Sequence, residues 1–254
     1  MYDDLSSDYD HFVDWQGRLA AELPFVERQL ASAQTRRVLD AACGTGKHAI
    51  ALTERGYEVV GTDLSVGMVE RARANAATAR MDVHFEVAGF GEQGGMGLGT
   101  FDAVICLGNS LPHLLTPRDL AAALVDFAAC LRPEGLLLIQ NRNFDAVLAN
   151  RQRWMEPQSY QEGESDWLFV RFYDFGSDES DGVLTFNMLT LQREGEDVWR
   201  QKVTSTRLWP LGQRGLTAAI ESAGFHRVTC WGDMQGAPFD LDHSPNLVVT
   251  ARAG

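Results

Sequence analysis

The residues best suited to chemistry lie in the run Val38 to Ile50, VLDAACGTGKHAI, and in two later stretches, Gly108-Asn109-Ser110 with His113, and Asn141-Arg142-Asn143. In the first run Asp40 precedes a glycine turn, Gly44-Thr45-Gly46, and helix-forming sequence that ends at Gly56. A strand, a glycine turn and a helix N-terminus together make a nucleotide-type cofactor site in open α/β sheets. Gly44-x-Gly46-x-x-Ala49 fits a loose dinucleotide pattern, but Asp40 at the strand end would oppose a pyrophosphate, which argues against NAD or FAD. A phosphate loop needs a glycine where Ala41 stands and a Ser or Thr where His48 stands, which argues against ATP and GTP. A cofactor with a cationic amine and a sulfonium, and no phosphate, would welcome Asp40 and could lay its polar tail on the Gly44 to Gly46 backbone. S-adenosylmethionine is that ligand. Asp63 follows at about the twenty-residue spacing at which a carboxylate meets ribose hydroxyls; alternatively it helps Ser65 cap the next helix.

Asn109 and His113 come just after an apolar run, Phe101 to Leu107, and Arg142 just after Leu136 to Ile139. Polar residues past the carboxyl ends of parallel strands lie at the ligand edge of such a sheet. Arg142 can hold a carboxylate bidentately, or it can pair with Asp145 or another acid of this acidic chain. His113 can act as a general base near neutral pH, or it can hydrogen-bond the turn it sits in. Cys43, Cys106, Cys130 and Cys230 show no metal-ligand spacing and read as reduced core thiols, so no metal is expected.

The elements that must position these groups are strands at Arg37-Val38-Leu39, 57–62, 83–87, 101–107 and 136–139, with helices between them. Thr116 caps one helix and Arg132 to Gly135 ends it. The glycine-rich stretch from Gly89 to Thr100 is expected to be mobile. Pro24 is expected to kink or divide an N-terminal helix. Strands alternating with helices give a parallel, doubly wound sheet. From about Ala146 the pattern changes to strand-like segments at 167–175, 183–192 and 198–209, separated by DESDG and EGED turns. That is an antiparallel insertion. A helix at 211–223 and strands at 225–231 and 246–251 complete the chain.

The 254 residues are 45% hydrophobic and carry a formal charge of -13. Such a chain can bury a large core, and its charge disfavours nucleic acid and anionic membranes as partners. No apolar run approaches a membrane span, and the stretch from Met1 to Asp10 is acidic where a secretory signal is basic, so a cytoplasmic protein is expected.

DxxCGTG, Asp63, FDAVICLGNS and RPEGLLLI resemble class I S-adenosylmethionine-dependent methyltransferases. DAVICLGNSLPHL followed by NRNFD, together with FVDWQGR, resembles glycine N-methyltransferases and the bacterial glycine/sarcosine N-methyltransferases. The resemblance implies a Rossmann-like, doubly wound, mostly parallel sheet with an N-terminal helical lid and an antiparallel β insertion after the fifth strand. One domain would then divide into a lid (1–34), a cofactor-binding core (35–145 and 210–254) and a substrate-lid insertion (146–209). The implied roles put Ala42 and Gly44 along the methionine end of the cofactor, Asp63 on ribose, Leu107 against adenine or the transferring methyl, and Arg18 on the methionine carboxylate. Tyr9, Trp15, Asp40, Leu64, Met68, Gly89, Phe90 and Gly108 complete the candidate cofactor set. Arg142 would meet the acceptor's carboxylate, with Asn109 and His113 in the same pocket.

Two departures stand out. Gly89 replaces the Asp or Asn that commonly meets the adenine amino group, leaving backbone groups and Phe90 for that purpose. Trp209-Pro210 stands roughly where a Tyr-Pro is expected, which makes glycine a doubtful acceptor and favours a larger amine. The expected activity is methyl transfer to a small molecule, at the nitrogen of a carboxylate-bearing amine. The alternatives are O-methylation of a secondary metabolite and a non-catalytic cofactor-binding protein of the same fold. The aromatic insertion suits either a substrate lid or a homo-oligomer surface.

Overall fold

A computed structural model describes residues 9–176, 182–195 and 198–254. Most of the acidic stretch from Met1 to Asp10, and much of the DESDG and EGED turns, lie outside the described residues. Two sheets organise the chain. The larger has the order β10-β11-β5-β4-β1-β2-β3, built from β1 (Arg37–Ala41), β2 (Glu58–Asp63), β3 (His84–Val87), β4 (Phe101–Cys106), β5 (Leu131–Arg142), β10 (Phe225–Trp231) and β11 (Asn246–Ala253). β1 to β5 are parallel, and β11 runs antiparallel to both neighbours. The chain leaves β1 towards β2 and β3 on one side and returns to β4 and β5 on the other. The crevice at this reversal, beyond the carboxyl ends of β1 and β4, is where such sheets bind ligands.

Alternation along each strand feeds two apolar layers, since successive side chains point to opposite faces. Val38, Ala103, Ile105, Leu136 and Leu138 face one layer, with Leu23, Val26 and Leu30 of α2 (Trp15–Ser32) and Leu52 of α3 (Lys47–Thr53). Leu39, Val104, Leu137 and Ile139 face the other, with Leu120, Leu124 and Phe127 of α5 (Pro117–Cys130) and Leu216 and Ile220 of α7 (Gln213–Ser222). Each large apolar side chain so buried contributes roughly 1.5–3 kcal/mol. α4 (Val66–Ala79) completes the first layer through Val69, Ala72 and Ala76.

The second sheet, ordered β6-β7-β8-β9, is antiparallel throughout. Its strands are β6 (Gln158–Glu162), β7 (Ser165–Phe175), β8 (Leu184–Glu194) and β9 (Trp199–Leu208), and α6 (Phe144–Ala149) leads into it. β6 and α6 have no sequence expectation behind them: QSYQE is polar, and six residues carry too little helical periodicity to stand out.

Three local expectations change. Pro24 lies inside one continuous helix, α2, which Asp14 caps by accepting the Gly17 N–H. A separate short helix, α1 (Tyr9–Phe12), precedes it. Arg132 to Gly135 does not form a turn between helix and strand but belongs to β5, where the register against β4 slips between Phe101 and Ala103 and Glu134 takes a φ of 61°. The glycine-rich run after β3 is anchored: Gln93 and Gly94 donate their N–H groups to Asp126, and Glu92 accepts from Gly89.

Candidate cofactor and acceptor site

The turn after β1 is built on left-handed backbone. Ala42, Gly44 and Gly46 have φ of 60°, 55° and 77°. At Gly46 a Cβ would stand 2.7 Å from the Phe85 ring, so both its conformation and its surroundings exclude a side chain. Asp63, at the end of β2, accepts from Gly44 N–H at 2.9 Å and from Ser65 N–H at 2.9 Å. Ser65 caps α4 with its own hydroxyl, which accepts from Met68 N–H. Asp63 therefore ties the glycine turn to the start of α4 and also lines the cavity above β1.

That cavity brings together every residue of the expected cofactor set: Tyr9, Trp15, Arg18, Asp40, Ala42, Gly44, Asp63, Leu64, Met68, Gly89, Phe90, Leu107 and Gly108. Asp40 is 2% exposed, and its Oδ2 has no hydrogen-bond partner. Burial, and then the Asp63 carboxylate, push its carboxyl up to about 7 against the opposing pull of Arg18. Cys43 and Cys106 are raised by burial and by the same acids, which keeps both thiols protonated and unsuited to act as nucleophiles.

α1 and α2 close one side of this cavity. Asp10 accepts from Thr45 Oγ1 at 2.7 Å, Asn75 Nδ2 at 3.0 Å and Arg71 Nε at 3.2 Å, so it clamps α1 to the glycine turn and to α4. Burial raises its pKa, but these hydrogen bonds and Lys47 outweigh burial and lower it overall. Arg18 donates Nε to both oxygens of Glu22 at 3.1 Å, and Glu22 also meets His48 Nε2 at 2.7 Å. A Cβ on Gly108 would stand 3.6 Å from Arg18 Nη2, which places that end of the guanidinium beside the end of β4.

A second cavity, of about 320 Å³, adjoins the first and shares Tyr9, Arg18, Gly108 and His113 with it. Asn109, His113 and Arg142 all line it. Asn109 has a φ of 68°, and its Oδ1 accepts the Arg142 N–H at 2.9 Å. Arg142 Nε is buried without a partner. Asp145, which the sequence offered as its mate, accepts instead from Gln213 N–H at 2.7 Å, capping α7. Burial pushes His113 down to about 4, so its imidazole is neutral at physiological pH. Trp209 lies outside this wall; its main-chain N–H donates to Pro112 O at 2.7 Å, bracing the turn that carries His113.

A methyltransferase-domain family model matches residues 38–135. The glycine/sarcosine N-methyltransferase of Halorhodospira halochloris is 34% identical over 248 residues, covering 92% of this chain and 82% of that protein. The glycine/sarcosine N-methyltransferase of Parasynechococcus marenigrum is 31% identical over 233 residues, covering 92% and 78%. This chain belongs to the S-adenosylmethionine-dependent methyltransferases. A solved S-adenosylmethionine-dependent methyltransferase from Clostridium acetobutylicum shares its fold, with a TM-score of 0.79 at 13% identity, covering 100% of this chain and 99% of that one. The protein is thus a methyltransferase of small molecules, with S-adenosylmethionine as its cofactor.

The cavity fits that cofactor on its own terms. The orphaned Asp40 oxygen calls for a cation or a donor. The Gly44 N–H, which a phosphate would require, is already taken by Asp63. Gln93 and Arg171 are among the wall residues that the sequence does not single out. Gln93 lines the first cavity at 2% exposure, with both Nε2 and Oε1 lacking partners. It was hidden in a glycine-rich run with no periodicity. Arg171 lines the second cavity. Its signal was an arginine placed among alternating aromatics, Trp167, Phe169 and Tyr173, on one face of a strand.

Proposed function

We propose that this methyltransferase methylates the nitrogen of a small amine that carries a carboxylate. The observation that carries the reading is Arg142. Its Nε is buried and unpartnered on the wall of the acceptor cavity, and the nearby acid, Asp145, is committed elsewhere. A guanidinium in that state is matched by a carboxylate. The names of the relatives from Halorhodospira and Parasynechococcus support the same class of acceptor.

In this reading Asp40 faces the cationic methionine end of the cofactor, Arg18 meets its carboxylate, Asp63 holds the ribose, and Phe90 and Gln93 meet adenine. When bound, S-adenosylmethionine supplies an electrophilic methyl whose bond to sulfur breaks with the electron pair left on sulfur. Arg142 and Asn109 orient the acceptor so that its nitrogen lone pair points at that carbon, and the proton of the resulting ammonium passes to water. Orientation is the main contribution, because well-placed reactants gain several kcal/mol over free encounter. His113, held near 4, is too weak a base to activate a hydroxyl, whereas a neutral amine needs no base. That favours nitrogen over oxygen. Residues 1–34 would serve as a lid, with Tyr9 bridging both cavities, and residues 146–209 would wall the acceptor side.

The test is a transfer assay with tritiated-methyl S-adenosylmethionine across amino acids, methylated glycines, phenols and sugars, with products identified by mass spectrometry. Labelling confined to phenols or sugars would overturn the reading.

A further inference from the structure

Arg142 shares its cavity with a second arginine that has no carboxylate partner among the described residues. Arg171 lies on β7 opposite Met188 of β8, on the strand face that also carries Phe169 and Tyr173. The Nε atoms of Arg142 and Arg171 are both buried without a hydrogen-bond partner. The Arg171 guanidinium lies over the face of the Phe12 ring at 4.6 Å and donates to the Glu156 carbonyl at 3.5 Å. Glu22, the carboxylate on this wall, is engaged by Arg18 and His48.

Burial, and then Arg142, lower the pKa of Arg171, so the two cations feel one another. Like charges brought together out of water are costly unless an anion joins them. The chain has 35 acidic residues against 22 lysines and arginines, yet supplies neither guanidinium with a carboxylate among the described residues. The counter-ion is therefore left to the ligand. A single carboxylate balances one of the two charges, and the cavity of about 320 Å³ has room beyond what glycine fills.

We infer that the acceptor is a dianionic amine, meaning one that carries two separate anionic groups, a carboxylate and a second, with Arg142 and Arg171 each facing one of them. The inference rests on the carboxylate-bearing amine reading above. The second group is a carboxylate or a phosphate monoester, both of which offer a guanidinium two oxygens at once.

The experiment compares kcat/KM for glycine, sarcosine, aspartate, glutamate and O-phosphoserine in the wild type, Arg171→Gln and Arg171→Lys. At least one dianionic amine is expected to exceed glycine and sarcosine by tenfold or more. Arg171→Gln should reduce that preference at least tenfold, and Arg171→Lys should restore part of it. Preference for aspartate or glutamate identifies a second carboxylate, and preference for O-phosphoserine a phosphate. Glycine or sarcosine matching the dianions in the wild type overturns the inference. So does an Arg171→Gln variant that slows all acceptors equally. If monocarboxylate amines are labelled and dianions are not, this inference alone falls; if no carboxylate-bearing amine is labelled, the underlying reading falls with it. The wild-type preference decides the question even if Arg171→Gln does not fold. Calorimetry with S-adenosylmethionine checks the fold of the variants, since Arg171 does not line the cofactor cavity.

Discussion

Asn109 Oδ1 accepts the main-chain N–H of Arg142 at 2.9 Å, while the Asn109 N–H donates to Gln140 O at 3.0 Å. One residue in left-handed backbone thereby ties the loop after β4 to the end of β5, and so holds the start of the Arg142 side chain in place. Asn109→Ala leaves a half-buried N–H unpaired, at a cost of about 1 kcal/mol, and strains a φ that asparagine tolerates better. The expected result is a lower melting temperature and a raised KM for the acceptor, with S-adenosylmethionine affinity little changed by calorimetry. Asn109→Gly relieves the φ but not the hydrogen bond, so it should recover stability only in part.

Asp10 is the clamp of α1. Asp10→Ala removes hydrogen bonds from Thr45, Asn75 and Arg71 at once. Bonds to a charged group are worth about 1.5–3 kcal/mol each. Weakening of S-adenosylmethionine binding by tenfold or more is expected, read by calorimetry. Because the folded pKa of Asp10 is depressed, its contribution is present above the ordinary aspartate range and is lost as pH falls through the folded value. Unchanged affinity in the variant would remove α1 from the cofactor site.

Gln93→Leu separates stability from binding. Two buried polar atoms without partners are replaced by apolar ones of similar size, so the cofactor-free protein should melt at the same or a higher temperature. If the Gln93 amide reads the adenine edge in place of the side chain that Gly89 lacks, S-adenosylmethionine affinity should fall about tenfold. A melting gain with no loss of affinity would exclude that role.

Asp40 predicts proton release on cofactor binding. Its carboxyl is raised to about 7, so below that value the free protein holds a proton there. A cationic group arriving beside it favours the ionised form and lowers the pKa. Affinity should therefore rise with pH up to about 7 and then level off, with protons released below that point. Calorimetry in buffers of different ionisation enthalpy measures the release, and Asp40→Asn should abolish it. For folding the sign runs the other way: with the folded pKa above the unfolded one, Asp40 costs stability increasingly as pH rises from the unfolded value to about 7.

His113 tests nitrogen against oxygen. An amine acceptor predicts that His113→Ala lowers kcat less than about tenfold, below the range usual for loss of a general base. Loss of turnover by a hundredfold or more, with Arg142→Ala nearly intact, would favour a hydroxyl acceptor.

The parallel core was legible because its strands are short apolar runs and its helices carry caps: Ser65, Thr116 and the glycine turn mark their ends in the sequence. The wall of the first cavity was legible for the same reason, since Asp40, Gly44, Asp63 and Gly108 stand at or just past the ends of strands whose register is set by burial on both faces. Gln93 was not legible, because a buried amide in a glycine-rich stretch has no local signature; its position depends on Asp126, 33 residues away, accepting its N–H. The continuity of α2 through Pro24 was also beyond local rules, because packing of Leu23, Phe25 and Val26 against the sheet outweighs the lost hydrogen bond.

Residue types and their spacing were enough to assign the cofactor, since a carboxylate beside a glycine turn selects against phosphate whatever surrounds it. They also marked Arg142 as a ligand candidate, but left Asp145 as its rival. Long-range folding removes that rival, because it delivers the N-terminus of α7 to Asp145 and leaves Arg142 Nε without a partner. The same folding brings Arg171 of β7 into the cavity that Arg142 lines at the end of β5. Charge pairing over such distances depends on which surfaces pack together, and no local pattern of residues encodes it.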